Sequence, residues 1–178
     1  PGLLNGIQRE DSYLGLEWPP RDISLSRYLY EAVENFASHE MPSKYLWVRQ
    51  YCEKAHSEGR KVLIWSNLVG NLRALQRVLK PMNPALIYGS VSQEDRQIEI
   101  DRFRHQQSCG VLLSNPQALG EGVSLHHHCH EAIYLDRSYN AGHYLQSLDR
   151  IHRLGLSPGQ DTKVFILQAA RTIDQRVA

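Results

Sequence analysis

The sequence predicts an α/β fold in which a parallel sheet carries helices on both faces. The first observation is a set of short apolar runs: Val62-Leu63-Ile64-Trp65, Leu86-Ile87-Tyr88, Val111-Leu112-Leu113, Ala132-Ile133-Tyr134-Leu135 and Val164-Phe165-Ile166-Leu167. Each is too short for a helix and polar on both sides, the pattern of a strand buried on both faces. The second is that helix-patterned segments lie between the runs, and strands alternating with helices at this interval give a parallel sheet. Ligands of such sheets bind outside the carboxyl ends of the strands, so the loops after the runs are where chemistry is expected.

Taken in order, residues 1–42 are the least regular part. Gly2, Gly6, Gly15 and Trp18-Pro19-Pro20 punctuate them, followed by Leu25, Tyr28, Leu29, Ala32, Val33 and Phe36 at helical spacings of three and four. They read as a linker and helical segment leading into one main domain, residues 43–178. Pro42 and Ser43 open a helix from Lys44 to about His56, closed by Gly59. After the first strand, Leu68, Leu72, Leu75 and Leu79 share one helix face that ends before Pro81. Ser92, with Asp95 three residues on, caps a helix running to about Phe103.

Lys plus Arg total 20 against 19 for Asp plus Glu, a net charge of +1, so no global basic field announces a nucleic-acid partner, and any such binding would have to rest on local placement. A length of 178 residues suits one domain with a proper core. Cys52, Cys109 and Cys129 are odd in number, far apart and without a CxxC pair. That argues against a disulfide framework and fits a reducing, cytoplasmic setting. No apolar run approaches the roughly 20 residues of a spanning helix, so no membrane partner is expected. The chain starts at Pro1 and stops at Ala178 as a further helix begins, and it reads as a piece of a longer protein.

Two loops carry the candidate chemistry. After the fourth run, Gln146, Arg150 and Arg153 are spaced four and three apart, which on a helix puts them on one side. Two planar guanidinium forks on one face suit the oxygens of a triphosphate in transfer, although spacing alone leaves open a solvated face with ordinary arginines. After the third run, Ser114-Asn115-Pro116-Gln117-Ala118-Leu119-Gly120-Glu121-Gly122-Val123-Ser124-Leu125 carries small polar groups and two glycines, which let backbone amides approach a phosphate. The alternative there is a turn that needs positive φ. The first run also ends in small polar residues, Ser66-Asn67. His126-His127-His128-Cys129-His130 invites a metal reading, but no second ligand cluster lies elsewhere, so a polar loop and no metal is expected.

The ordered set resembles the C-terminal RecA-like lobe of superfamily-two helicases, Swi/Snf-related branch. Lys61 to Ser66 resembles the motif IV strand, and Ile87-Tyr88-Gly89-Ser90 with Arg96 and Phe103 resembles its "yGs…R…F" stretch. Leu112-Leu113-Ser114 with Gly120 to Leu125 resembles motif V, Asp136 with Tyr139-Asn140 the "D…WN" step, and Gln146 to Gly155 motif VI. Thr172-Ile173-Asp174 resembles "TiE", Pro42-Ser43-Lys44 resembles "sgK", and Pro1 to Leu4 resembles the segment arriving from a first lobe.

The resemblance implies a RecA-like fold and half of an ATP-driven motor. Arg150 and Arg153 would reach a γ-phosphate held by the first RecA-like lobe, supported by Gln146 and Asp149. Gly120, Glu121 and Gly122 would lie at the cleft and bind ATP, coupling it to nucleic acid. Ser66, Asn67, Ser114 and Asn115 would touch the phosphate backbone, with Arg96 a further candidate for that surface or a structural partner within its own lobe. ATP and Mg2+ would be held mainly by the other lobe, since this chain has neither a GxxxxGK[ST] loop nor a DExx site. The fragment alone is therefore expected to be inactive, with the first lobe and a nucleic acid, DNA ahead of RNA, as its partners. Departures from the pattern set the chain on a divergent, prokaryotic branch: Asn115-Pro116 for Thr-Arg, one extra residue before Gly120, Tyr139 for Trp and Leu156 for Gln. The competing readings are a degenerate lobe serving as a binding scaffold, and an unrelated doubly wound nucleotide enzyme.

Overall fold

The computed structural model describes residues 41–119, 123–138, 140–151, 161–170 and 174. Helix α1 (Ser43–Ser57) begins where the Pro42 carbonyl accepts from the amides of Tyr45 and Leu46 at 2.8 and 3.0 Å. It buries Val48, Cys52 and Ala55, and Gly59 reverses the chain in the left-handed region at φ +73°. Strand β1 (Val62–Trp65) follows, then α2 (Val69–Val78), which buries Leu72 and Leu75. A short 3-10 turn (Lys80–Met82) containing Pro81 stops that helix and leads to β2 (Ala85–Ile87). Helix α3 (Gln93–His105) is capped by the Ser92 hydroxyl, which accepts from the Asp95 amide at 3.1 Å. Strands β3 (Val111–Ser114) and β4 (Glu131–Tyr134), helix α4 (Ala141–Leu148) and strand β5 (Lys163–Ile166) complete the described elements.

All pairings are parallel, in the order β2-β3-β1-β4-β5. Because side chains alternate along a strand, β1 feeds two cores. Val62 and Ile64 join Val111, Leu113 and Ile133 under α1 and α2, whereas Leu63 and Trp65 join Leu112, Ala132 and Tyr134 against Ile100 and Phe103 of α3. Tyr144 and Leu148 of α4 pack on the second of these cores. Helices therefore cover both faces, as the apolar runs require, and the architecture is the RecA-like α/β fold.

Three strands begin one residue earlier than their apolar runs, because register and not hydrophobicity sets their ends. Glu131 and Lys163 are in the sheet, paired with Val62 and with each other. Strand β5 departs from expectation more strongly: Val164 and Ile166 are each 37% exposed, not buried on both faces. Among the described residues β5 pairs only with β4, so it is an edge strand. The expected helix near residues 25–36 lies outside the described residues, as does nearly all of the 1–42 segment.

At the amino ends of the strands, charge is paired. The Glu131 carboxylate accepts from the Arg60 guanidinium and lies 3.8 Å from the Lys163 ammonium, and Arg60 also reaches Glu58. The buried Lys61 ammonium donates to the carbonyls of Phe103 and of Gln106 (2.8 Å), satisfying the end of α3. Among the described residues no helix is long and apolar enough to cross a membrane.

Candidate functional site

In this strand order β1 continues toward β2 on one side and β4 toward β5 on the other. The crevice between the carboxyl ends of β1 and β4 is therefore the topological switch point, where open parallel sheets bind ligands. Asp136, two residues past β4, organises it. Its carboxylate accepts from the Ser66 hydroxyl, the Asn67 amide (2.7 Å), the Asn67 side chain (3.0 Å) and the Asn71 side chain (3.3 Å). Asn71 is itself held by the Tyr45 hydroxyl at 2.7 Å, and burial, then the Asp136 charge, push the Tyr45 phenol up to about 12.

Beside this network lies a pocket lined by Asn67, Pro116, Asp136, Arg137, Asn140 and His143, with Tyr134 and Tyr144 at its base. Asn140 caps α4 by accepting from the His143 amide at 3.2 Å. The Arg137 guanidinium lies over the Tyr144 ring, 4.1 Å from its centre. Tyr144 meets Tyr134 edge-on at 5.1 Å, and the Tyr134 hydroxyl bonds to Ser147 at 2.5 Å.

Asn67 sits at this pocket, half-buried. Ser66 is fully buried, its hydroxyl engaged with Asp136 and accepting from the Leu68 amide at 3.2 Å. Ser114 is also fully buried and donates to the Asn115 carbonyl at 3.1 Å, so both serines bond within the lobe. Asn115 closes the next turn, accepting from the Ala118 amide at 2.8 Å. Arg96 donates to the Val91 carbonyl at 3.2 Å, a bond within its own lobe. Gln146 is exposed on α4, and Asp149 caps the end of that helix. Arg153, Gly120, Glu121, Gly122 and Tyr139 lie outside the described residues.

Arg150 does not continue α4 as the spacing suggested. The helix ends at Leu148, and Arg150 and Ile151 bond back to Ser147 (3.4 Å) and Leu148 (3.1 Å), the pattern of a tightened turn. Two contacts account for this: Ile151 is fully buried in the core, and the Arg150 carbonyl is taken by the Leu125 amide at 2.9 Å. The Arg150 side chain donates to the Val123 carbonyl at 3.3 Å. Arg150 is thus joined by backbone and side chain to the loop immediately after Gly120–Gly122.

Sequence reasoning missed Asn71 and Arg137. It paired Lys44 and Asp174 with the ends of a pattern, and the structure joins them: the Lys44 ammonium donates to Asp174 (2.6 Å) and to the Leu135 carbonyl (2.8 Å). Burial pulls the Asp174 carboxyl up, but Lys44 and the Ala169 amide outweigh it and leave it below the usual range. The histidine turn is dispersed. The His126 and His127 rings lie tilted against each other at 3.8 Å, His128 meets His105 edge-on at 5.7 Å, and the buried Cys129 thiol points inward to the carbonyls of Lys61 and Glu131. Among the described residues no group of three or more His, Cys, Asp or Glu side chains is placed to hold a metal ion.

Comparison with known proteins gives this arrangement a context. The helicase conserved C-terminal domain matches residues 43–155. Protein CHROMATIN REMODELING 4 of Arabidopsis thaliana is 31% identical over 126 residues, 68% of this chain and 6% of that protein. ATP-dependent DNA helicase DDM1 of the same plant is 28% identical over 153 residues, 84% of this chain and 19% of that protein. The chain thus spans only a small part of the curated relatives it matches. The crystal structure of the C-terminal part of the Fun30 ATPase domain shares the fold, with a TM-score of 0.66 and 21% identity over 84% of this chain and 50% of that one. Such relatives are mainly eukaryotic, with Escherichia coli among the sources, and they do not support the prokaryotic placement expected from the sequence.

Proposed function

The chain belongs to the helicase conserved C-terminal domain family and has Swi/Snf-type relatives, and on that premise we propose that it is the second lobe of an ATP-dependent translocase that moves along DNA. The observation that carries this reading is the double link from Arg150 to Val123 and Leu125, which ties the arginine turn to the loop after Gly120–Gly122. A change at one of these segments reaches the other through two hydrogen bonds, as coupling between nucleotide and track requires.

In this reading Arg150 spends one N–H on the Val123 carbonyl and presents the remainder of its fork to a γ-phosphate held by the first lobe, with Arg153 as its companion and Gln146 and Asp149 in support. Gly120, Glu121 and Gly122 bring backbone to the same cleft. ATP supplies a γ-phosphoryl group whose charge in transfer an arginine stabilises, and Mg2+ is assigned to the first lobe. Asn67 and Asn115 face the nucleic acid, while Ser66 and Ser114 position them from within the sheet; Arg96 braces its own loop. The names of the relatives, which speak of chromatin remodelling and of a DNA helicase, support DNA as the track and a nuclear setting over a nucleoid.

Replacing Arg150 with Ala in the full-length protein tests the reading. DNA-stimulated ATP turnover is expected to fall about a thousandfold with DNA binding and melting temperature retained. Turnover within a few-fold of the parent would refute it and favour a binding scaffold.

A further inference from the structure

Arg137 differs from the other arginines whose partners are on the page. Arg49, Arg60, Arg102 and Arg104 each meet a carboxylate of their own lobe. The Nε of Arg137 is buried and has no hydrogen-bond partner, and its guanidinium forms no hydrogen bond or ion pair with any described residue. Its position is nonetheless defined, because the cation lies 4.1 Å above the centre of Tyr144, whose ring is braced by Tyr134. A guanidinium carries five donors in a rigid fork, and leaving the buried Nε–H without an acceptor is costly.

The neighbouring carboxylate does not fill that need. Asp136 already accepts from Ser66, from both nitrogens of Asn67 and from Asn71, all on the β1 side of the crevice. The remainder of the pocket favours a negative charge. Asn140 and His143 belong to the cap and first turn of α4, the positive end of that helix. The Ser138 hydroxyl accepts from the Asn140 amide at 3.3 Å and keeps its own proton to donate. An anion arriving from outside therefore meets an uncommitted fork, a hydroxyl and a helix terminus at the switch point.

We propose that Arg137 grips one backbone phosphate of the nucleic acid in the pocket between β1 and β4, next to Asn67. The two unbridged oxygens of a phosphodiester match the planar fork, and Tyr144 fixes the guanidinium before the strand arrives. The assignment rests on the nucleic-acid reading above and adds a contact residue to it. It also gives the track a fixed position on the lobe, across the carboxyl ends of β1 and β4.

The test uses the full-length protein carrying Arg137→Gln or Arg137→Lys. Binding to a fluorescent DNA duplex is measured without nucleotide over a range of salt concentrations, together with the KM for ATP and the DNA-independent turnover. Arg137→Gln is expected to weaken DNA binding about tenfold, equally for unrelated sequences. The slope of log affinity against log salt should become shallower by about one. Arg137→Lys should restore the slope but not the full affinity, because the charge returns without the fork. Tyr144→Leu, which frees the cation, should weaken binding by a smaller factor, and the KM for ATP should not move in any of them. Arg137→Gln with parental affinity and slope would overturn the Arg137 assignment and leave the nucleic-acid reading intact. A shifted KM for ATP with unchanged DNA affinity would overturn it too, by making the anion a nucleotide phosphate. A parent protein that binds no nucleic acid would instead overturn the reading on which the assignment rests. If Arg137→Gln melts below the parent, Arg137→Lys decides: a reduced affinity at the parental slope supports the assignment, and parental affinity overturns it.

Discussion

The two ends of the same five strands are built on different chemistry. At the amino ends, opposite charges meet: Glu131, only 6% exposed, is shared between Arg60 and Lys163, and Lys61 is consumed by the last carbonyls of α3. At the carboxyl ends, neutral amides and one hydroxyl converge on a single carboxylate, Asp136, and the buried Nε of a cation beside it has no acceptor among the described residues. Both ends contain buried polar groups, so burial does not distinguish structure from function. The distinction lies in which kind of group is left over. At the amino end it is an acceptor, the buried Oε2 of Glu131, on a carboxylate whose other oxygen is already ion-paired; at the carboxyl end it is a donor, the Arg137 Nε, at the place where a parallel sheet receives a ligand.

Two changes sharpen or break this contrast. Asp136→Ala has the largest expected effect, because four donors lose one acceptor at once. Unfolding in urea should show a loss of about 3 kcal/mol or more, and DNA affinity should fall with it, since the pocket wall goes too. Arg60→Ala should cost about 2 kcal/mol by leaving Glu131 buried with only the more distant Lys163, while DNA affinity and ATP turnover of the folded protein stay at parental values. If Arg60→Ala impaired DNA binding as strongly as Asp136→Ala does, the division between the two ends would be wrong.

The smallest effect is a pH dependence from the interior. Burial pushes the thiols of Cys52 and Cys129 from 9.0 up to about 12. Above pH 9 the unfolded chain releases these protons and the folded chain keeps them, so stability is whole below pH 9 and is lost as pH rises toward 12. At pH 10 the loss should be about 1 kcal/mol per thiol, measured as the difference between the parent and a Cys52→Ala/Cys129→Ala variant in urea titrations at pH 8 and 10. An identical pH response in both proteins would count against thiol burial as its cause.

Most of the architecture was legible because its signals are local. Apolar runs bounded by polar residues mark strands whatever their neighbours, and Ser92 with Asp95 marks a helix start by its own hydrogen bond. What escaped depends on neighbours that are distant in sequence. Ser66 and Ser114 look like loop residues offered to a ligand, yet each turns inward, which only the packing of adjacent strand ends decides. The Asp136 clamp joins residues 66, 67 and 71 to a position just past a later strand, and no spacing rule connects them. Arg150 was legible as a candidate, but not its turn geometry, which follows from the burial of Ile151 and the Leu125 bond. The exposure of β5 was also hidden, since its apolar pattern matches that of a central strand while its place in the sheet order does not.

The central position of β1 has a consequence for how the lobe is made. Its partners on the two sides begin at Val111 and Glu131, roughly fifty and seventy residues later in the chain. During synthesis, Val62–Trp65 must therefore wait, apolar on both faces and unpaired on both edges, until most of the domain has left the ribosome. In that interval it is the segment most open to pairing with another nascent chain, and a holding chaperone would find its best target there.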